Sequence, residues 1–275
     1  MKIKMNTMKL LLAAAAFLAI IAFPISSSAS HSWGNYHWAR TSNPFTIKLN
    51  QNLTSEWVSY LQMASNDWTA SSVLNTTVVN TGGYGSRRKC NPINGQVVVC
   101  NEAYGRNGWV GIASIWANGD HITQGTVKMN DSYYAMAFYN TPSWRIFVMC
   151  QEIGHTFGLD HQDENFNNYN LGTCMDYTNA PQGGVYNGFN YGPSNEHPNT
   201  HDYDQLATIY QHLDSSTTIT FAPPATGDMN SRDEWGRAVR QDGKGRDILF
   251  ERDLGYGKKV FTFVYWADEP RGNRD

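Results

Sequence analysis

Residues 150–163 read CQEIGHTFGLDHQD. Gln151 and His155 are four residues apart, so on a helix their side chains leave the same face one turn from each other. Glu152 lies between them and can be directed toward whatever that face holds. Gly158 permits a sharp turn after the helix, and that turn brings His161 back toward the same point. Two imidazoles, a further donor and a nearby carboxylate are what a catalytic zinc site requires: three protein ligands, an open position for water, and a base to take the water's proton. Gln151 stands where a first zinc-binding histidine is expected.

The surrounding pattern predicts the elements that carry this stretch. SWRIFVMCQEIGHTF reads as a helix capped by Ser143 and stopped at Gly158. Upstream, PFTIKLN alternates Phe45, Ile47 and Leu49 as a half-buried strand does. In TSEWVSYLQMASNDW, Thr54 or Ser55 supplies a cap, and Trp57, Leu61, Ala64 and Trp68 share one helical face. LNTTVVN is a strand ended by Gly82 and Gly83, and 84–108 reads as a long polar loop. WVGIASIW and ITQGTVKMN are two strands joined by the turn ANGDH. Downstream, a polar Asn- and Gly-rich stretch runs to about 199. HDYDQLATIYQHL is a third helix, with Leu206, Ile209, Tyr210 and Leu213 as a core-packing stripe. Residues 215–231 resemble a linker, and RAVRQ, DILFERDL and KKVFTFVYWA read as short strands beyond it.

Bulk properties narrow the function classes. The chain has 275 residues with 41% hydrophobic and 13% aromatic content, enough to bury a sizeable core. A net charge of -3 argues against a nucleic-acid partner. Lys2, Lys4 and Lys9, the apolar run Leu10–Phe23 and the small residues of PISSSAS form a secretory signal pattern, with cleavage expected after Ala29 or Ser30. That run is short for a membrane span. Export makes disulfides the expected state of the four cysteines; the candidate pairs are Cys90–Cys100 and Cys150–Cys174, although three connectivities are open. The expected organisation is therefore a signal peptide at 1–30, a main domain at 31–214, a linker at 215–231 and a small β-rich C-terminal extension at 232–275. Residues 232–275 carry 10 basic and 9 acidic side chains, against 8 and 15 in 31–231, so the extension is rich in both signs and is not a basic patch.

QEIGHTFGLDH resembles the signature H-E-x-x-H-x-x-G-x-x-H of metzincin zinc metallopeptidases, here of bacterial, secreted type, with Gln151 in place of the first histidine. GTCMDY, 172–177, is similar to the family's methionine turn and places Met175 beneath the metal. The resemblance covers about residues 40–214. It implies an α+β fold: a zincin-like mixed twisted β-sheet with three main helices, the zinc helix and the Met-turn. It also implies a zinc ion held by Gln151, His155 and His161, with Glu152 as general base and extracellular polypeptide as substrate. Tyr177 matches a tyrosine that in astacin-like and serralysin-like members approaches the zinc. Substrates in this family pair with an edge strand, for which GTVKMND is the candidate here. Gln162, after the third ligand, matches no subfamily. No cysteine precedes the domain to act as a latency switch.

Glutamine keeps an oxygen donor of suitable length, but it is neutral and a weaker zinc ligand than imidazole. Two readings follow: a secreted zinc endopeptidase, or a catalytically impaired metzincin-like module that binds peptides or surfaces. A third role, surface adhesion, would belong to the C-terminal extension. His121, His197, His201 and His212 are alternative ligand sources, while His31 and His37 are expected to face solvent. Asp163 and Glu164 are weak candidates for a structural Ca2+.

Overall fold

In the computed structural model, which describes residues 31–219 and 229–268, β-strands and helices alternate early and strands close the chain. The first strands are β1 (His37–Trp38) and β2 (Phe45–Asn52), followed by helix α1 (Ser55–Thr69). β3 (Leu74–Val79), β4 (Gln96–Glu102), β5 (Trp109–Asn118) and β6 (His121–Asn130) come next. A one-turn helix α2 (Asp131–Tyr134) leads to the site helix α3 (Pro142–His155). A small hairpin, β7 (Val185–Tyr186) and β8 (Phe189–Asn190), precedes α4 (Thr200–Ile209). The chain ends with α5 (Arg232–Trp235), β9 (Arg237–Gln241), β10 (Asp247–Gly255) and β11 (Lys258–Trp266). The proposed signal segment and part of the proposed linker, 220–228, lie outside the described residues. Among the described residues no helix is long and apolar enough to cross a membrane.

The main sheet runs β3-β2-β4-β6-β5-β11-β10-β9, with β1 added beside β6. Its first half is largely parallel: β2 pairs with β3 and β4, and β4 with β6. From β5 onward every pairing is antiparallel. The result is the expected mixed α+β arrangement. One face of the sheet is covered by α1 and α3, which bury Trp57, Leu61 and Trp68 from the first helix and Phe147, Val148 and Ile153 from the second in a shared apolar core.

Several expectations need correction. The stretch taken for a polar loop contains β4, whose Val97, Val98 and Val99 are fully buried. A buried parallel strand shows a continuous apolar run and not an alternation, so QVVVC is easily overlooked inside polar flanks. β6, proposed as an edge strand for substrate, lies inside the sheet between β4 and β5. The cap of α3 is Thr141, which accepts from Trp144 N at 3.3 Å with Pro142 in the first helical turn, and not Ser143. Leu213 lies beyond α4 and is exposed, so the stripe on that helix stops at Tyr210. The C-terminal strands are hydrogen-bonded into the main sheet, and Phe261, Phe263 and Tyr265 belong to its core, so the described part of the proposed extension, 232–268, does not stand apart.

Candidate metal centre

Helix α3 delivers Gln151, Glu152 and His155 from its last turn, where backbone carbonyls lack partners within the helix. Tryptophans and a tyrosine supply them. Trp33 Nε1 donates to His155 O at 3.0 Å, Trp38 Nε1 to Thr156 O at 2.8 Å, and the Tyr210 hydroxyl to Phe157 O at 2.9 Å. The helix end is thus fixed by side chains from the N-terminal segment and from just past α4. Gly158 then turns the chain at φ +98, and a Cβ there would lie 2.5 Å from Tyr36 O. The turn returns His161 to His155, with ring centroids 4.5 Å apart.

The Met-turn segment is held against this helix and the turn that follows it in three ways. The structure joins Cys150 to Cys174, beside Cys90 to Cys100 elsewhere. Gln162 N donates to Met175 O at 2.7 Å, and Tyr177 N to Asp163 O at 3.0 Å. Met175 lies beneath the helix: a Cβ on Gly154 would meet its sulfur at 2.7 Å. Tyr177 packs on His161 with centroids 4.5 Å apart.

Protonation states follow from the hydrogen bonds. His155 Nδ1 lies 2.9 Å from Leu159 O, and a carbonyl only accepts, so Nδ1 carries the proton and Nε2 keeps a lone pair. Burial holds His155 well below the ordinary imidazole range and His161 at about 3, so both rings are neutral at physiological pH. His161 Nδ1 approaches Glu164 Oε1 at 3.4 Å. Gln151 Nε2 donates to Cys174 O at 2.8 Å, which assigns the amide and leaves its oxygen as the free end. That oxygen, both Glu152 carboxylate oxygens and the Tyr177 hydroxyl are buried with no hydrogen-bond partner. Burial pushes the Glu152 carboxyl well above its usual range. Buried oxygens without partners are unfavourable unless something else occupies the site. A neutral His155 with its Nε2 lone pair available, a second neutral imidazole on His161, an orphaned amide oxygen and an adjacent unpaired carboxyl are donor types that a zinc ion takes.

Sequence reasoning did not find what covers the site. Gly111 of β5 lies against Glu152, where a Cβ would be 2.6 Å from Oε1. The other edge of β5 is taken by β11, with Tyr265 opposite Gly111 and Phe263 opposite Ala113. Phe263 stacks on His155 at 4.0 Å with ring planes 10° apart, and the Tyr265 hydroxyl donates to Thr178 O at 3.1 Å. From β9, Arg240 donates to both oxygens of Asp160, next to His161, and its Nε lies 3.2 Å from Glu164 Oε1. Consequently Gln151, Glu152, His155 and Tyr177 are all at most 1% exposed. No local pattern in FTFVYWA signals this contact, because it depends on which strand β11 joins.

The other candidates lie elsewhere. His197 pairs with Asp67, His201 with Gln162, and His121 and His212 with Asp214. His31 and His37 are buried and not solvent-facing. Asp163 accepts from Asn165 and Asn168, while Glu164 turns to Arg240 and His161; the proposed Ca2+ ligands are thus engaged by different partners.

No protein-family model matches the chain, and no curated protein does. Among solved structures it is similar to high choriolytic enzyme 1 (HCE-1), a hatching-enzyme zinc-protease from Oryzias latipes (medaka fish). The identity is 11% over 64% of this chain and 94% of that one, with a TM-score of 0.36. Myroilysin is similar at 10% identity over 62% of this chain and 82% of that one, with a TM-score of 0.35. Scores this low carry no argument about function, which rests on the geometry above.

Proposed function

We propose that this chain is a secreted zinc-dependent endopeptidase of metzincin type whose described conformation is closed by its own C-terminal hairpin. The observation that carries the reading is the cluster of buried, unpartnered oxygens on Gln151, Glu152 and Tyr177 beside two neutral imidazoles. Gln151 Oε1 and the Nε2 atoms of His155 and His161 would hold the ion. When bound, zinc lowers the pKa of water and polarises the scissile carbonyl. Glu152 takes the proton from the attacking water and hands it to the leaving amine. Its apolar setting raises its basicity, the direction a general base needs. The Tyr177 hydroxyl donates toward the developing oxyanion. A peptide presented to Glu152 by strand addition needs the edge of β5 that β11 now holds. The hairpin must therefore yield before substrate is cut.

The alternative, a catalytically impaired peptide- or surface-binding module, is favoured by Gln151 and by the same closure. Metal analysis and proteolysis separate the two. The endopeptidase reading expects about one zinc per chain at the helix α3 site, chelator-sensitive cleavage of a denatured protein, and loss of cleavage in Glu152→Ala with that zinc retained. If the site stays metal-free in micromolar zinc, and Gln151→His creates cleavage where there was none, the impaired reading holds.

A further inference from the structure

Away from helix α3, three imidazoles gather around one carboxylate. His37 comes from β1, His121 opens β6, and His212 follows α4. Their Nε2 atoms lie 3.4, 3.2 and 3.6 Å from Asp214 Oδ1. His37 Nε2 and His212 Nε2 are 3.2 Å apart. We propose that His37, His212 and Asp214, with His121 at their side, form a second cation site that takes a zinc-type divalent ion.

Distance supports this first. With bonds of about 2.0–2.1 Å, donors arranged as a tetrahedron around zinc stand roughly 3.3–3.4 Å from one another. The spacings above match those edges, and the donor atoms of His37, His212 and Asp214 all lie within 4.8 Å of one another. Orientation supports it second. His37 Nδ1 is 2.7 Å from Asn35 O, so its proton is on Nδ1 and a neutral ring turns the lone pair of Nε2 toward Asp214. Lone pair then faces carboxylate at 3.4 Å, an unfavourable pairing that a cation between them reverses. Asp214 is equally fixed: its Oδ2 accepts from Arg40 Nη1 at 2.8 Å and from Arg40 N at 3.1 Å, which leaves Oδ1 for the imidazoles. Arg40 Nη2 also donates to His212 O and sets that ring's backbone. Ligand positions braced by outside partners are the usual arrangement in a built metal site.

Two other histidine–carboxylate groups lack this character. Arg240 engages both oxygens of Asp160 as well as Glu164, and Asp202 is engaged by Thr173, Gln162 and Asn199, whereas Arg40 takes only Oδ2 of Asp214. At the Asp214 site the side chains of His121 and His212 are 39% and 51% exposed, so an ion has access from solvent. Nitrogen and carboxylate donors select zinc, copper or nickel over calcium or magnesium. Bound there, the ion would tie β1, β6 and the segment after α4, the same segments whose Trp38 and Tyr210 fix the end of helix α3.

The alternative is a protonated histidine paired with Asp214 and no metal. Zinc titration of the chelator-stripped chain at about pH 7.5, where an unperturbed imidazole is largely neutral, decides between them. The wild type should bind one more zinc than His212→Ala, and the affinity of that equivalent should fall roughly 100-fold or more in the variant. His121→Ala should weaken it less. His155→Ala should keep this equivalent, while adding His212→Ala to it should remove it, so the result stands whether or not the helix α3 site binds zinc. Circular dichroism confirms that each variant is folded. Equal stoichiometry and affinity in wild type, His212→Ala and His121→Ala would overturn the proposal, as would a wild type that takes up no zinc beyond what His212→Ala binds.

Discussion

Gly158 shows how little freedom the candidate metal centre leaves at a single position. Its φ of +98 is open to glycine and strained for other residues, and the backbone oxygen of Tyr36 occupies the space a methyl would need. Because Tyr36 O is backbone, the overlap cannot be relieved by turning a side chain. Gly158→Ala is expected to destabilise the fold by roughly 3 kcal/mol or more and to displace His161 from His155. Urea unfolding and zinc titration of the same variant check both effects. A variant with wild-type stability would show that the turn is not constrained as described. The role of Gly158 could be read from sequence because a turn needing left-handed backbone leaves a glycine behind. Gly111 could not, since its reason is the nearness of Glu152, 41 positions away in a different element.

Elements were legible where they carry a period. α1, with Trp57, Leu61 and Trp68 on one face, and the hairpin of β5 and β6 stand close to where alternation and helical spacing put them. β4 was missed because burial on both faces erases alternation. The closure was missed because a strand's sequence states which side chains it buries and not which neighbour it pairs with. Arg240 and Phe263 are the points where the C-terminal strands grip the site, and Arg240 is the more informative to remove. Its bidentate bond to Asp160 is charge-assisted and largely buried, so losing it weakens the docking of the hairpin by a few kcal/mol. If the hairpin is a cover, Arg240→Ala raises the population in which β5 is free, by about tenfold for each 1.4 kcal/mol of lost docking energy. The expected outcome is faster cleavage of a denatured protein and faster nicking of the C-terminal strands by an added protease. Faster nicking without any cleavage activity would retain the cover and remove the peptidase.

At the scale of the whole molecule, burial of carboxylates sets how stability responds to pH. Asp176 lies in the Met-turn, and burial raises its pKa to about 7, against the pull of hydrogen bonds from Leu171 N and Asn195. A raised native pKa means that the folded state holds its proton where the unfolded chain has already released it. This contribution is therefore fully present below about pH 3.8 and is lost as pH climbs to about 7, beyond which the loss is constant. The separation corresponds to about 4 kcal/mol. Asp160 and Asp214 act in the opposite sense, because their pKa values are lowered in the fold, chiefly by Arg240 at the first and by the backbone N–H of Arg40 at the second. Their stabilisation is present above the ordinary carboxylate range and disappears as pH falls through it. Together these groups predict a stability maximum in mildly acidic solution and a decline toward neutrality. Asp176→Asn keeps the acceptor oxygen for Leu171 N and cannot ionise. Its unfolding free energy, measured by urea titration from about pH 4 to 8, should therefore decline less toward neutrality than that of the wild type, the remainder coming from Glu152 and Glu164, whose carboxyls burial also raises, while the fall at the acid end remains. A variant whose profile still drops toward neutrality as steeply as the wild type would place the titrating group elsewhere in the molecule.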